Sequence, residues 1–203
     1  MKLDLRFTAR PLVEVWCETV VAFVFEGAVE NGDCAFGLDV KTMGYLSSLK
    51  KRGFWKGEEG DTLLVASQGM IKANKILLKG LGARRYFTPG LVSHRMKEIG
   101  IALDKMAVSD IGIRIPVAQG ESFESTSMFE AACVHLVEPF LISHGDEPDF
   151  LLKIVFSVNA DQIGELESTV RPLKEHFRSR LDHTIIFDGL VKSPSTGPAY
   201  RRD

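Results

Sequence analysis

Apolar positions along this chain fall into two alternating patterns, and each predicts a different element. Short runs rich in β-branched residues predict strands at Lys2 to Thr8, Thr19 to Phe25, Thr62 to Ser67, Lys75 to Lys79, Asp110 to Ile115 and Phe150 to Val158. Several are apolar at consecutive positions, as in Val20-Val21-Ala22-Phe23-Val24-Phe25 and Lys75-Ile76-Leu77-Leu78, the pattern of strands covered on both faces. Between the strands, apolar residues recur at intervals of three and four. Val92, Met96, Ile99, Leu103 and Met106 mark one helical stripe, opened by Thr88 as N-cap and Pro89 as the first helical residue. Phe129, Ala132, Cys133, Leu136, Val137 and Phe140 mark a second. Ile163, Leu166, Val170, Leu173 and Phe177 mark a third, with Asp161 placed to cap it and Pro172 to bend it. A fainter stripe predicts a helix from about Leu38 to Lys51, with Met43 and Leu46 facing inward. Strands alternating with helices predict an α/β layer fold around one sheet of about six strands.

Composition narrows this picture. At 203 residues and 45% hydrophobic, the chain is long enough for one core that buries roughly 70% of the unfolded surface. A single domain over residues 1–192 is expected, with a flexible tail over 193–203, where Pro194, Gly197 and Pro198 stand among polar residues. The first residues alternate Lys2, Asp4 and Arg6 with apolar neighbours, a strand pattern unlike a signal peptide. The longest apolar run, Val20 to Phe25, is far short of the roughly 20 residues of a membrane span. A net charge of −2 gives no global field towards nucleic acid or membrane. Three cysteines, Cys17, Cys34 and Cys133, have no CxxC spacing and read as reduced thiols in a cytoplasm. Cys34, in a turn with glycine and aspartate, is the one expected to be reachable.

The order of the pieces carries a resemblance. The run Thr19 to Gly27 resembles the opening strand of the non-catalytic N-terminal domain of leucyl (cytosol) aminopeptidases. Gly53-Phe54-Trp55-Lys56-Gly57-Glu58-Glu59-Gly60-Asp61-Thr62-Leu63-Leu64 is similar to that domain's Phe-x-Gly-Lys turn, here with Lys56 and Gly57 in swapped order. Lys75-Ile76-Leu77-Leu78-Lys79-Gly80-Leu81-Gly82 is similar to its strand ending in Gly-Leu-Gly, and a long helix follows. The resemblance runs from about Val15 to Ile115. It implies a three-layer α/β/α arrangement with a mixed, mostly parallel sheet, in the fold group that also holds the ADP-ribose-binding macro domains. The family's peptidase chemistry belongs to a separate C-terminal domain, whose two metals sit on a Lys/Asp/Asp/Glu set that includes an Asn-Thr-Asp-Ala-Glu-Gly-Arg stretch. Nothing in these residues matches it, so neither peptidase activity nor a metal or cofactor is expected of them. The family's N-terminal domains lie at the outside of hexamers, which implies self-association or a protein partner.

Candidate binding residues follow from the parallel strands, whose carboxyl ends share one edge of the sheet, the usual ligand edge of α/β proteins. Glycines at Gly80 and Gly82 followed by Arg84 and Arg85 suit an anion such as a nucleotide phosphate; they suit a tight strand-to-helix connection with two solvated arginines better. Gln119 and Gly120, and Asn159 beyond the last predicted strand, either touch the same ligand or simply end their strands. The five histidines lack metal spacing, and no Gly-x-Ser-x-Gly elbow occurs. Arg171, Lys174, Arg178 and Arg180 make the last helix locally basic; Glu165, Glu167, Glu175 and Asp182 interleave with them. That interleaving fits a solvated, salt-bridged face better than nucleic acid.

Overall fold

The computed structural model describes residues 1–116 and 122–188, without the side chains of 122–125. The expected tail over 193–203 lies outside the described residues. Among the described residues, seven strands form one sheet: β1 (Lys2–Thr8), β2 (Thr19–Val24), β3 (Thr62–Ala66), β4 (Lys75–Gly80), β5 (Asp110–Arg114), β6 (Leu151–Ser157) and β7 (Asp182–Asp188). Their spatial order is β3-β4-β2-β5-β6-β1-β7. All pairings are parallel except β3 with β4. Six strands stand where the apolar runs predicted them, within a residue at each end.

The seventh was not predicted. In β7, Asp182, Thr184 and Asp188 are exposed while Ile185 and Phe187 pack on the core, so only half of an edge strand carries an apolar signal. Its place is fixed by β1, against which it pairs from Lys2↔Asp182 to Thr8↔Asp188.

Helices cover both faces. On one lie α3 (Pro89–Lys105), α4 (Ser122–His144), α5 (Ile163–Leu166) and α6 (Val170–Phe177), packed on Leu5, Phe7, Phe23, Ile113, Ile154 and Phe156. On the other lie α1 (Phe36–Lys41) and α2 (Tyr45–Lys51), whose Leu38 and Leu46 join Trp55, Val20, Ala22, Val24, Ile76 and Leu78. Strand β2 is buried at every position, as its unbroken apolar run requires. Thr88 and Pro89 do begin α3, although the Thr88 side chain makes no capping bond. Gly100 sets the α3–α4 spacing: a β-carbon there would lie 2.6 Å from the Leu136 carbonyl oxygen and 3.0 Å from Pro139 Cγ.

Two predicted helices are broken. The Leu38 to Lys51 stripe splits at Met43 and Gly44, both at positive φ (54° and 76°). The backbone closes the corner, with Gly44 N donating to Asp39 O at 2.8 Å and Tyr45 N to Thr42 O at 3.1 Å. Side chains brace it: the Thr42 hydroxyl donates to the Leu38 carbonyl at 2.8 Å, and Asp39 accepts from the Ser47 amide at 2.9 Å. Met43 therefore faces solvent and not the core; only Leu46 points inward. The third stripe is cut into α5, α6 and single 3-10 turns. Its cap is Asn159 and not Asp161: the Gln162 side chain accepts from the Asn159 amide at 3.1 Å, the reciprocal arm of a capping box. Pro172 falls in the first turn of α6, where a missing N–H costs little, and so does not interrupt it.

At the amino end of the sheet, His144 closes α4. Its ring stacks on Phe150 at 3.8 Å; Nε2 meets Asp104 at 2.8 Å and Nδ1 meets Glu147 at 3.0 Å. Burial lowers the imidazole pKa, but hydrogen bonds to Glu147 and Asp104, with their charges, outweigh it and raise the pKa above its ordinary value. A raised folded-state pKa means that this stabilisation is complete below about pH 6.5 and is lost as pH climbs through the folded value. Thermal melts at about pH 6 and pH 8.5 test this: the native chain is expected to lose more stability over that interval than His144→Gln. Equal losses would show that the cluster does not titrate with folding.

Among the described residues, no helix is long and apolar enough to cross a membrane.

Candidate functional site at the carboxyl ends of the strands

Six parallel strands end on one edge, and backbone hydrogen bonds tie the segments that follow them. Leu81 N donates to Val24 O at 2.9 Å, Glu26 N to Gly82 O at 2.9 Å and Val158 N to Thr8 O at 3.0 Å. Side chains extend the network. Arg114, the last residue of β5, donates to Asn159 Oδ1 at 2.6 Å and reaches Ser157 Oγ at 3.5 Å, while Ser157 donates to the Arg10 carbonyl at 2.8 Å. Arg84 pairs with Asp33, and its guanidinium lies 4.2 Å from the centre of the Phe25 ring. Asp33 also accepts from the Glu30 amide at 2.9 Å, holding the loop after β2 in place.

The predicted residues are thus divided. Asn159 joins the edge through Arg114. Arg84 joins it through Asp33. Arg85 is exposed and lies over the Tyr86 ring at 4.8 Å. Gln119 and Gly120 lie outside the described residues. Gly80 and Gly82 face the turn that precedes β3: β-carbons there would meet the Glu58 carbonyl oxygen at 2.0 Å and Glu59 Cβ at 3.1 Å. Both glycines serve close packing of chain on chain.

A cavity of about 220 Å³ remains at this edge, lined by Pro11, Asn31, Asp33, Cys34, Phe36 and Arg114 among others. That is below the roughly 300–1,000 Å³ of most small-molecule sites. Cys34, expected to be reachable, is buried, and its thiol is pushed up to about 12 chiefly by that burial. It is therefore a poor nucleophile. Cys17 is likewise raised to about 12, first by burial and then by the charge of Asp110. No group of three or more His, Cys, Asp or Glu side chains among the described residues could hold a metal ion. A larger cleft, about 640 Å³, flanks the same edge between the loop after β2, α2 and the turn before β3.

Sequence reasoning missed Arg114, Asp33 and the lysines of that larger cleft. The available signal for Arg114 was a charge that closes the strand directly after the buried Ile111-Gly112-Ile113. Asp33 gave none beyond its place in a glycine-containing loop.

Comparison with known proteins agrees with this architecture. A probable cytosol aminopeptidase of Alkaliphilus oremlandii is 33% identical over 69 residues, 34% of this chain and 14% of that protein. The chain thus spans only a small part of the length of the relatives it matches. A mutant of tomato leucine aminopeptidase superposes with a TM-score of 0.57 at 13% identity, covering 81% of this chain and 35% of that one. A mutant macrodomain of Oceanobacillus iheyensis superposes at 0.60 and 9% identity, covering 84% and 92%. At such identities the structural matches establish a macro-like α/β fold. The profile of the cytosol aminopeptidase family, N-terminal domain, matches residues 20–138, more than half of the chain, from β2 into α4. The chain therefore belongs to the cytosol aminopeptidase family, through its N-terminal domain.

Proposed function

We propose that these residues form a non-catalytic module that works by associating with further copies of itself or with a partner protein. The observation that supports this most is a group of exposed apolar side chains on one two-helix unit. Val40, Met43, Tyr45 and Phe54 are 59%, 81%, 42% and 68% exposed, all within residues 40–54. Apolar residues scattered singly over a surface are ordinary; several on one unit suggest a covered patch. Met43, at the corner between α1 and α2, is the most exposed of the four. In the turn before β3 the two aromatic residues Phe54 and Trp55 part: one packs onto the sheet and the other does not. Trp55 is the buried one, while Phe54 stays out, with Arg52 stacked 4.7 Å from its ring centre.

Light scattering after size-exclusion chromatography tests the reading. The native chain is expected to exceed the 22.5 kDa of one copy as concentration rises. Met43→Glu combined with Phe54→Glu is expected to return it to one copy with an unchanged circular dichroism spectrum. A strict monomer at high concentration counts against self-association. A nucleotide in the strand-end crevice draws less support, since Arg114–Asn159 and Arg84–Asp33 already span the segments around a small cavity.

A further inference from the structure

The larger cleft has a chemistry that association does not use. Its charged lining is Lys50, Lys51 and Lys56 against Glu26 and Glu58, with Ser47 and residues 27–29 completing the wall. Three ammonium groups against two carboxylates leave a local positive excess, although the whole chain carries −2. Lys50 is half-buried and donates from Nζ to the Phe25 carbonyl. An ammonium has three donors, so two remain. Burial lowers the Lys50 pKa, against the opposing charges of Asp33 and Glu26. The lysine is partly dried without a carboxylate bonded to it.

Its neighbours are available as well. Lys56 and Glu58 stand 3.4 Å apart with side chains 68% and 55% exposed, a pairing of little worth that a better anion displaces. Lys51 forms no ion pair among the described residues. The turn carrying Lys56 is held close to Lys50: a β-carbon on Gly57, at φ 79°, would lie 3.3 Å from Lys50 Nζ and 3.1 Å from the Phe25 carbonyl oxygen. Beneath Lys50, 5.6 Å from its Nζ, lies the ring of Trp55, whose buried Nε1–H has no partner among the described residues.

We infer that this cleft binds a phosphorylated, hydroxyl-bearing small molecule, with Lys50, Lys51 and Lys56 gathered around the phosphate and Glu26 and Glu58 accepting from the hydroxyls. Lysines act as point charges and suit a tetrahedral dianion approached from several sides; planar carboxylate recognition favours arginine forks, which the cleft lacks. The volume, about 640 Å³, lies within the range of small-molecule sites. Val40, Met43, Tyr45 and Phe54 do not line this cleft, so the inference stands apart from the association reading.

Calorimetric titration with glucose phosphate, with inorganic phosphate, and with glucose alone tests it, sodium chloride at equal ionic strength serving as the reference. Glucose phosphate is expected to bind more tightly than inorganic phosphate, and glucose alone to bind far more weakly. In a Trp16→Phe background, saturation is expected to shift the emission of Trp55. Lys50→Met removes the central donor. Lys51→Gln with Lys56→Gln removes only exposed charges and so leaves the fold intact. Each is expected to weaken binding at least about tenfold, the scale of a lost charge-assisted hydrogen bond. Lys174→Gln with Arg178→Gln, on the basic face of α6, is expected to bind as the native chain does. A response no larger than that to sodium chloride overturns the inference. Native-like affinity in the Lys51/Lys56 variant overturns it, and so does an equal loss in the Lys174/Arg178 variant, which would mean diffuse charge attraction.

Discussion

Gly80→Ala is expected to destabilise the protein by about 3 kcal/mol, with a fall in Tm of roughly 6–12 °C for a chain of this size. The added β-carbon would lie 2.0 Å from the Glu58 carbonyl oxygen and within 3 Å of two further backbone atoms of Gly57. Every one of these is main chain, so no rotamer change relieves the clash. The turn cannot retreat freely either. Gly82 N donates to Gly57 O at 3.0 Å, Gly80 N to Asp61 O at 2.8 Å and Gly60 N to Gly80 O at 3.1 Å, and Trp55 just before it is buried in the core. Moving the turn breaks several of these at once, and it displaces Lys56 and Glu58 from the lysine cleft. Gly90→Ala is the matched control, because a β-carbon there meets nothing within 4 Å. Its Tm is expected to stay level or rise slightly, since alanine narrows the unfolded ensemble. If Gly80→Ala melts with Gly90→Ala, the turn is not seated on β4 as described.

That glycine also marks the limit of what the sequence discloses. The elements with continuous or strongly periodic apolar character, such as β2 and α3, are legible because burial acts on each of their residues separately. Strand β7 is not legible, because its partner β1 lies 180 residues away in sequence and supplies half of the order. The corner at Met43 and Gly44 is hidden for a related reason: Asp39 and Ser47 stabilise it across eight residues, a contact that helical period cannot register. In the candidate site, Asn159, Gly80, Gly82 and Arg84 do fall at the expected edge. What Gly80 and Gly82 do there depends on which chain segment approaches them, and the segment that does is the turn at 57–60. The lysine cleft is assembled from residues 26, 50 and 56, whose convergence only the fold creates.

Glu98→Ala is expected to cost about 2–3 kcal/mol, through a charge that sequence gives no reason to think buried. Lys79, in the body of β4, has a side chain only 5% exposed. Its ammonium reaches the Gly60 carbonyl at 2.6 Å and Thr62 Oγ1 at 2.9 Å, but its only bonded carboxylate among the described residues is Glu98, at 2.8 Å. Glu98 also binds Arg95, which reaches on to Glu59 at 2.6 Å, so α3, β4 and the turn before β3 share one network. Removing one partner of a buried pair typically costs about 3–5 kcal/mol; Glu98 is 36% exposed, and solvent reduces that here. Lys79→Met removes the charge and keeps the apolar stem, leaving Glu98 with Arg95, and is expected to cost less than about 1 kcal/mol. In that background Glu98→Ala should lose most of its effect; an unchanged cost in both backgrounds would show the two residues uncoupled. The pH dependence has a definite sign. Burial raises the Glu98 pKa, but Lys79 and Arg95 together bring it below the ordinary carboxylate value. Its stabilisation is therefore present above the unfolded pKa, about 4.3, and disappears as pH falls through the lower folded value. Chemical denaturation of the native and Glu98→Ala proteins at about pH 7 and about pH 3 should show the gap between them closing in acid.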